Sequence, residues 1–212
     1  MTEGLHRAPA AVTFDAIGAA YEKAFASCEP HLRSLEWLLD RLAPGSRVLD
    51  VGSGTGRPTA ATLAAAGHDV RGVDVSPVMV GLAVRQVPGA VFDCADVREL
   101  PLPEESLDAV CVYFSLLQMT RAEQSEVVGR LVRALKPSGH MVLATVSLDV
   151  EDVDVVFMGQ PVRATAYSAE QFAKLAADAG LTVVYQDECD FTPSYPDAVP
   201  EPHVYLYCRR DK

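Results

Sequence analysis

After its first forty residues the chain alternates between two hydrophobic patterns. "RVLDV" (Arg47–Val51), "DVRGVDV" (Asp69–Val75), "AVFDCA" (Ala90–Ala95), "LDAVCVYF" (Leu107–Phe114) and "HMVLATVS" (His140–Ser147) are short, rich in Val and aromatics, and nearly free of polar alternation. Such runs suit strands covered on both faces, as in a parallel sheet. Between them "RPTAATLAAAG", "SPVMVGLAVRQV" and "AEQSEVVGRLVRALKPSG" have helical spacing. Gly67 sits where the first helix needs a left-handed cap, and Ser76 with Pro77 starts the second. The third is predicted to stop at Pro137 and Gly139, with Arg133 and Lys136 in its last turn, favourable against the helix dipole. Strands alternating with helices imply right-handed βαβ units and a doubly wound α/β sheet.

The flanks break this rhythm. "FDAIGAAYEKAF" and "HLRSLEWLLDRLA" both have helical spacing, so residues 1–44 are expected to form an N-terminal helical cap, with Trp37, Leu38 and Leu42 packing inward. Residues 148–167, "LDVEDVDVVFMGQPVRATAY", are too acidic and irregular for another crossover helix and read as an irregular substrate-side insertion. "SAEQFAKLAADAGL" carries a Ser168/Gln171 capping box and a Gly180 stop. "LTVVYQDECDF" and "PHVYLYCRR" then read as a closing antiparallel pair. A length of 212 residues suits one domain over residues 1–212.

Composition narrows the function classes. Hydrophobic residues make up 49% and charged residues 22%, as in a folded globular protein. The net charge of -11 repels phosphate backbones and anionic membranes, so neither nucleic acid nor membrane is an expected partner. Cys28, Cys94, Cys111, Cys189 and Cys208 form no C-x-x-C pair, and read as buried apolar residues in a reducing compartment; no metal is expected. "MTEGLHRAPAAVTF" lacks an apolar signal core, and the longest uncharged run, Ala109 to Thr120, is shorter than the ~20 residues of a membrane helix. A cytoplasmic location is the expectation.

The chemistry gathers at "VLDVGSGTGRPTA". Glycines between a strand and a helix let the backbone approach a ligand and aim helix N–H groups at it. Dinucleotide folds favour G-x-G-x-x-G, whereas Gly52, Gly54 and Gly56 are followed by Arg57 where the third glycine would fall. No G-K-[ST] is present, which removes a nucleoside-triphosphate loop. Asp74 ends the second strand about twenty residues on, where an acid accepts hydrogen bonds from ribose hydroxyls. Asp96, after the third strand, is placed to accept an adenine amine, with Val97 and Met79 on the ring faces. Asp50 lies inside the first strand's end and, if buried unpaired, calls for a cation or a water.

"VLDVGSGTGR", "GVDVS", "DVRELPLPEESLDAVCV" and "LVRALKPSGHMVLATV", in this order and spacing, resemble the class I S-adenosylmethionine-dependent methyltransferases of small-molecule type. The resemblance covers roughly residues 42–146. It implies a Rossmann-like seven-stranded sheet, mostly parallel with an antiparallel C-terminal strand, helices on both faces. It implies S-adenosyl-L-methionine as cofactor and S-adenosyl-L-homocysteine as product. Gly52, Ser53, Gly54 and Gly56 are implied at the methionine end, Asp50 near its amine through water, Asp74 at the ribose, and Asp96 and Val97 at the adenine. Ser115 and Leu116 are implied for backbone contacts beside the sulfonium, and Tyr21 over the cofactor. With Arg57, Val75, Met79 and Phe114 these residues complete the expected cofactor site. "KPSG" replaces the usual K-P-G-G, and "SLLQM" follows strand four where many members carry His.

The expected reaction moves a methyl group to an O or N atom of a small-molecule acceptor by direct displacement. A secondary-metabolite carboxylate, hydroxyl or amine would all fit, and the absence of a His base after strand four points to an acceptor that needs none, a carboxylate or free amine. Tyr21, His31 and Tyr167 are the candidate catalytic residues; Tyr21, His31, Met119, Met158 and Tyr167 are the candidate acceptor contacts. His68, His140 and His203 are read as structural or solvated. A nicotinamide oxidoreductase shares Asp74 but needs the third glycine, and a non-catalytic cofactor-binding module keeps the glycine turn without the transfer.

Overall fold

The computed structural model describes residues 9–26 and 28–212. The first eight residues of the expected 1–44 cap lie outside the described residues. Seven strands form one sheet: β1 (Arg47–Val51), β2 (Asp69–Asp74), β3 (Val91–Cys94), β4 (Leu107–Tyr113), β5 (Leu135–Val146), β8 (Leu181–Phe191) and β9 (Glu201–Arg210). Their order is β3-β2-β1-β4-β5-β9-β8, and only β9 runs against its neighbours. In the parallel core Leu49 of β1 lies opposite Arg71 of β2 and Val110 of β4.

The continuous apolar runs are explained by cover on both faces. Leu49, Val51, Val110, Val112, Met141 and Leu143 point toward α6 (Arg121–Ala134) and α7 (Ala169–Asp178), where Val128, Leu131, Phe172 and Ala176 meet them. Val48, Val70, Ala109, Cys111 and Val142 point the other way, toward Leu35 and Leu38 of α3 (Glu29–Leu39) and Leu63 of α4 (Thr59–Ala65). Trp37 and Leu42 pack against this second layer, as the sequence predicts. Ser76 accepts a hydrogen bond from Met79 N at 3.0 Å, capping α5 (Pro77–Gln86), and both Thr120 and Ser168 close full capping boxes. Gly67 and Gly180 terminate their helices at φ +84° and +94°.

Four expectations are corrected. The third helix ends at Ala134, because Leu135 already pairs with Leu107; "KPSG" is a bulge at the start of β5, with Ser138 at φ +64° and Lys136 Nζ held by Asp108 at 2.6 Å. "FDAIGAAYEKAF" is two helices, the end of α1 (Pro9–Ile17) and α2 (Ala20–Phe25), broken at Gly18, where φ is +50°. The insertion is a regular antiparallel hairpin, β6 (Val150–Phe157) and β7 (Gln160–Ala166), turning through Met158 and Gly159, both at positive φ. The cysteines are not uniformly buried: Cys94 is exposed and Cys189 half-buried. Among the described residues no helix is long and apolar enough to cross a membrane.

Candidate functional site

Strand order reverses between β1 and β4, so a crevice opens beyond their carboxyl ends, where ligands bind in such sheets. The backbone leaves β1 through Gly52 at φ +67°, and the amides of Gly52 and Ser53 both donate to Val73 O. A Cβ on Gly52 would lie 2.2 Å from Ser115 Cβ, so the glycine is what lets the ends of β1 and β4 come together. Phe114 follows β4 at φ +54°, a costly conformation for a bulky side chain, as found where a site over-determines its backbone.

Asp74 is fixed by the glycine turn itself: Gly54 N donates to one carboxylate oxygen at 2.9 Å and Ser76 N to the other at 2.8 Å. Burial raises its pKa, the two amides pull it back, and Asp15 adds a smaller push upward. Asp50 is more extreme. It is 2% exposed, Oδ2 has no hydrogen-bond partner, and burial followed by the charge of Asp74 lifts its pKa to about 7, against the pull of the Ala60 amide. Asp50 thus meets the condition, burial with one carboxylate oxygen unpartnered, under which a nearby cation or water is called for. Asp96 differs: although burial opposes ionisation, the Arg98 guanidinium and amide hold its pKa below the ordinary carboxylate range.

Two adjoining cavities, of about 260 and 280 Å³, share Tyr21, Gly52, Gly54, Tyr113 and Phe114. The first is walled by Asp74, Val75, Met79, Asp96, Val97, Ser115 and Met119, with Phe14, Arg98 and Gln118. The second is walled by Asp50, Ser53, Thr55, Arg57, His31, Phe25 and Cys28. Asp50 Oδ2, Ser53 Oγ, Thr55 Oγ1 and Ser115 Oγ are buried without protein partners, as expected of groups that wait for a polar ligand. Over the junction lies a roof of rings: Tyr21 stacks on Phe25 at 4.8 Å and meets Phe14 at 5.7 Å, while Phe157 of the hairpin is 6.2–6.4 Å from all three.

The catalytic candidates separate. His31 lines the second cavity, stacked on Tyr113 at 3.8 Å with Nε2 2.9 Å from Thr59 Oγ1, and burial lowers its pKa to about 3. Tyr21 borders both cavities; burial, then Glu201 and Asp74, raise its pKa, so its hydroxyl stays protonated. Tyr167 lines neither cavity. It is in the core, with its hydroxyl donating to Arg121 O at 3.2 Å and the Arg121 guanidinium over its ring. Met158 is at the hairpin turn and Leu116 is in the core; neither lines either of these two cavities. Gly56 also lies outside both; a Cβ there would press on Phe92 of β3 and on Val87 and Ala83 at the end of α5. Arg57, the next residue, lines the second cavity.

Thr55, Phe14, Phe25, Cys28 and Arg98 were not singled out from the sequence. Thr55 stands inside the glycine motif, where its spacing could have marked it; the others reach the site only through packing of distant elements. Among the described residues no group of three or more His, Cys, Asp or Glu is placed to hold a metal.

A family model described as a methyltransferase domain matches residues 48–139. An uncharacterised methyltransferase of Synechocystis sp. is 32% identical over 149 residues, 68% of this chain and 70% of that protein. A demethylmenaquinone methyltransferase of Renibacterium salmoninarum is 36% identical over 104 residues, 49% of this chain and 43% of that protein. The chain spans about half the length of several curated relatives it matches, 42% to 59%. Among solved structures, the 1,6-didemethyltoxoflavin-N1-methyltransferase of Burkholderia thailandensis, with bound 1,6-didemethyltoxoflavin and S-adenosylhomocysteine, superposes with a TM-score of 0.73. That match covers 100% of this chain and 94% of the other at 20% identity, and it establishes a shared fold.

Proposed function

Because this chain belongs to the class I S-adenosylmethionine-dependent methyltransferases, we propose that it transfers a methyl group to an oxygen or nitrogen of a small-molecule acceptor by direct displacement. The observation that carries this reading is the pair of cavities meeting at Gly52, Gly54, Tyr21 and Phe114, one walled to suit an adenosine and the other a charged amino-acid end. S-adenosylmethionine, when bound, supplies a methyl group made electrophilic by its sulfonium. Asp74 accepts hydrogen bonds from the ribose hydroxyls with the lone pairs that Gly54 and Ser76 leave. Val75, Met79 and Val97 pack on the adenine faces, and Asp96 takes its amine while Arg98 keeps the carboxylate ionised. Asp50 faces the ammonium of the methionine end, whose charge draws the buried carboxyl into its ionised form. Ser53 and Thr55 supply the hydroxyls for the same end.

Positioning is the main contribution asked of these residues. Aligning a nucleophile behind the methyl group is worth ~7–11 kcal/mol in favourable cases. A ring face near the cation, from Tyr21 or Phe114, adds about 0.5–2 kcal/mol. With His31 held near pKa 3 and Tyr21 kept protonated, neither is a strong base. That supports an acceptor already nucleophilic, a carboxylate or a free amine. The aromatic roof and the net charge of -11 support a small acceptor over a polyanionic polymer. The test is incubation of the full chain with methyl-labelled cofactor and a bacterial metabolite extract. Label in a low-mass product supports the reading. Label only in macromolecules, or cofactor binding without any transfer, overturns it; binding of NAD alone would return the oxidoreductase.

A further inference from the structure

Cys28 is the N-cap residue of α3 and a wall residue of the second cavity. Its sulfur lies 3.0 Å from the Tyr205 hydroxyl. Two residues before Tyr205 on β9 is His203, 1% exposed, with Nε2 held 3.1 Å from Glu201 Oε2 and Nδ1 with no hydrogen-bond partner, a buried nitrogen left open to take a proton. The cavity wall around the thiol carries three further buried polar atoms with no partner, Asp50 Oδ2, Ser53 Oγ and Thr55 Oγ1, so this is a polar chamber and not a sealed core position. Burial opposes ionisation of Cys28, yet His203, Tyr205 and the His31 amide together bring its pKa below the ordinary thiol value, while Cys28 and Glu201 raise that of His203. Burial pushes the other cysteines the opposite way at Cys111, Cys189 and Cys208.

We propose that Cys28 is a nucleophilic thiol that takes soft carbon electrophiles entering the second cavity, with His203 accepting its proton and Glu201 orienting that imidazole. In the step, the sulfur forms a bond to the electrophilic carbon, the bond from that carbon to its leaving group breaks with the electron pair, and the thiol proton passes to His203. A group attached at Cys28 then fills the chamber bordered by Asp50 and Thr55. This last consequence, loss of cofactor binding, rests on the methyltransferase reading; the reactivity of the thiol does not.

The groups set around Cys28 are His203 and Tyr205 from β9, the His31 amide from α3, Cys189 from β8 and Tyr21 from α2, with Glu201 one step further out on His203 Nε2. The experiment is alkylation of the full chain by iodoacetamide between pH 5.5 and 10, read residue by residue by peptide mass mapping, with exposed Cys94 as the internal reference. Cys28 is expected to react with a midpoint below ~8.5, the free-thiol value, and faster than Cys94 at pH 7. His203→Asn and Glu201→Gln should each move the midpoint upward and slow the pH 7 rate severalfold; the second variant keeps the test open where the first fails to fold. S-adenosylhomocysteine should protect Cys28 and not Cys94. A Cys28 that is unreactive in the folded protein, or a midpoint at or above that of Cys94 and unmoved by E201Q, overturns the proposal. Failure of S-adenosylhomocysteine to bind the untreated protein by calorimetry would instead strike the methyltransferase reading and leave the thiol result standing.

Discussion

Asp50 shows how one residue trades stability against binding. Its folded pKa of about 7 lies above the unfolded value of 3.8, so the native state holds a proton that the unfolded chain releases. The stability it confers is complete below pH 3.8 and is lost as pH rises toward 7. Asp50→Asn keeps the shape and removes the titration. The stability difference between D50N and wild type, from urea unfolding of the free protein, is therefore expected to grow in favour of the mutant by about 2–3 kcal/mol between pH 5 and pH 8. The same variant should bind S-adenosylhomocysteine more weakly at pH 8, because the ammonium loses its partner. Asp74 carries the other polar contact. Its carboxylate is set by two backbone amides, which an Asn can satisfy only in part. Charge-assisted hydrogen bonds are worth about 1.5–3 kcal/mol, so Asp74→Asn should cut affinity roughly 10- to 150-fold by calorimetry.

At the scale of elements, the β1–α4 turn is built around one contact. Gly52→Ala combines a positive φ with a Cβ 2.2 Å from Ser115, so β1 and β4 must part at the cavity junction. Gly67→Ala also sits at positive φ, but its Cβ would meet nothing within 4 Å. G67A is expected to cost only about 1 kcal/mol in unfolding free energy and to keep cofactor binding. G52A should lower the melting temperature more and abolish binding, as thermal melts with and without S-adenosylhomocysteine would record. The β6–β7 hairpin teaches a different lesson. Its outward residues Glu151, Asp152 and Asp154 are charged, and the bulge near Asp152, at φ +55°, shifts the alternation, so the pattern reads as irregular. The glycine at Gly159, between the β-branched runs "VDVVF" and "PVRATA", was the available signal. The inward Phe157, whose ring meets Tyr21, Phe14 and Phe25, gives the element its place in the roof.

At the scale of the molecule, the cofactor would bridge elements drawn from the whole chain: α1 and α2, the ends of β1, β2, β3 and β4, and the start of α3. Binding to the native state alone should therefore stabilise the entire domain. At a hundredfold excess over the dissociation constant the gain is about 2.7 kcal/mol. For a chain of this size that raises the melting temperature by roughly 5–11 °C. A thermal-shift titration is expected to show this with S-adenosylhomocysteine and no shift with NAD; the reverse result would contradict the assignment of the pocket.

The local pattern by itself determined the parallel core and placed much of the candidate site at its strand ends. Apolar runs bounded by caps such as Ser76–Pro77 and Gly67 are decided by neighbours in sequence, and Gly52, Gly54, Asp74 and Asp96 lie at strand ends that those runs define. The end of the third helix was misplaced because Leu135 obeys its pairing with Leu107 rather than the Pro137–Gly139 stop. Tertiary structure alone decided the rest. Tyr167 left the candidate site because Arg121 and Phe172 hold it in the core, and Cys28 entered because the start of α3 sets its sulfur against Tyr205, more than 170 residues away. Periodicity records which face of an element is buried; what stands across a cavity depends on how distant faces meet, and one-dimensional spacing does not encode that.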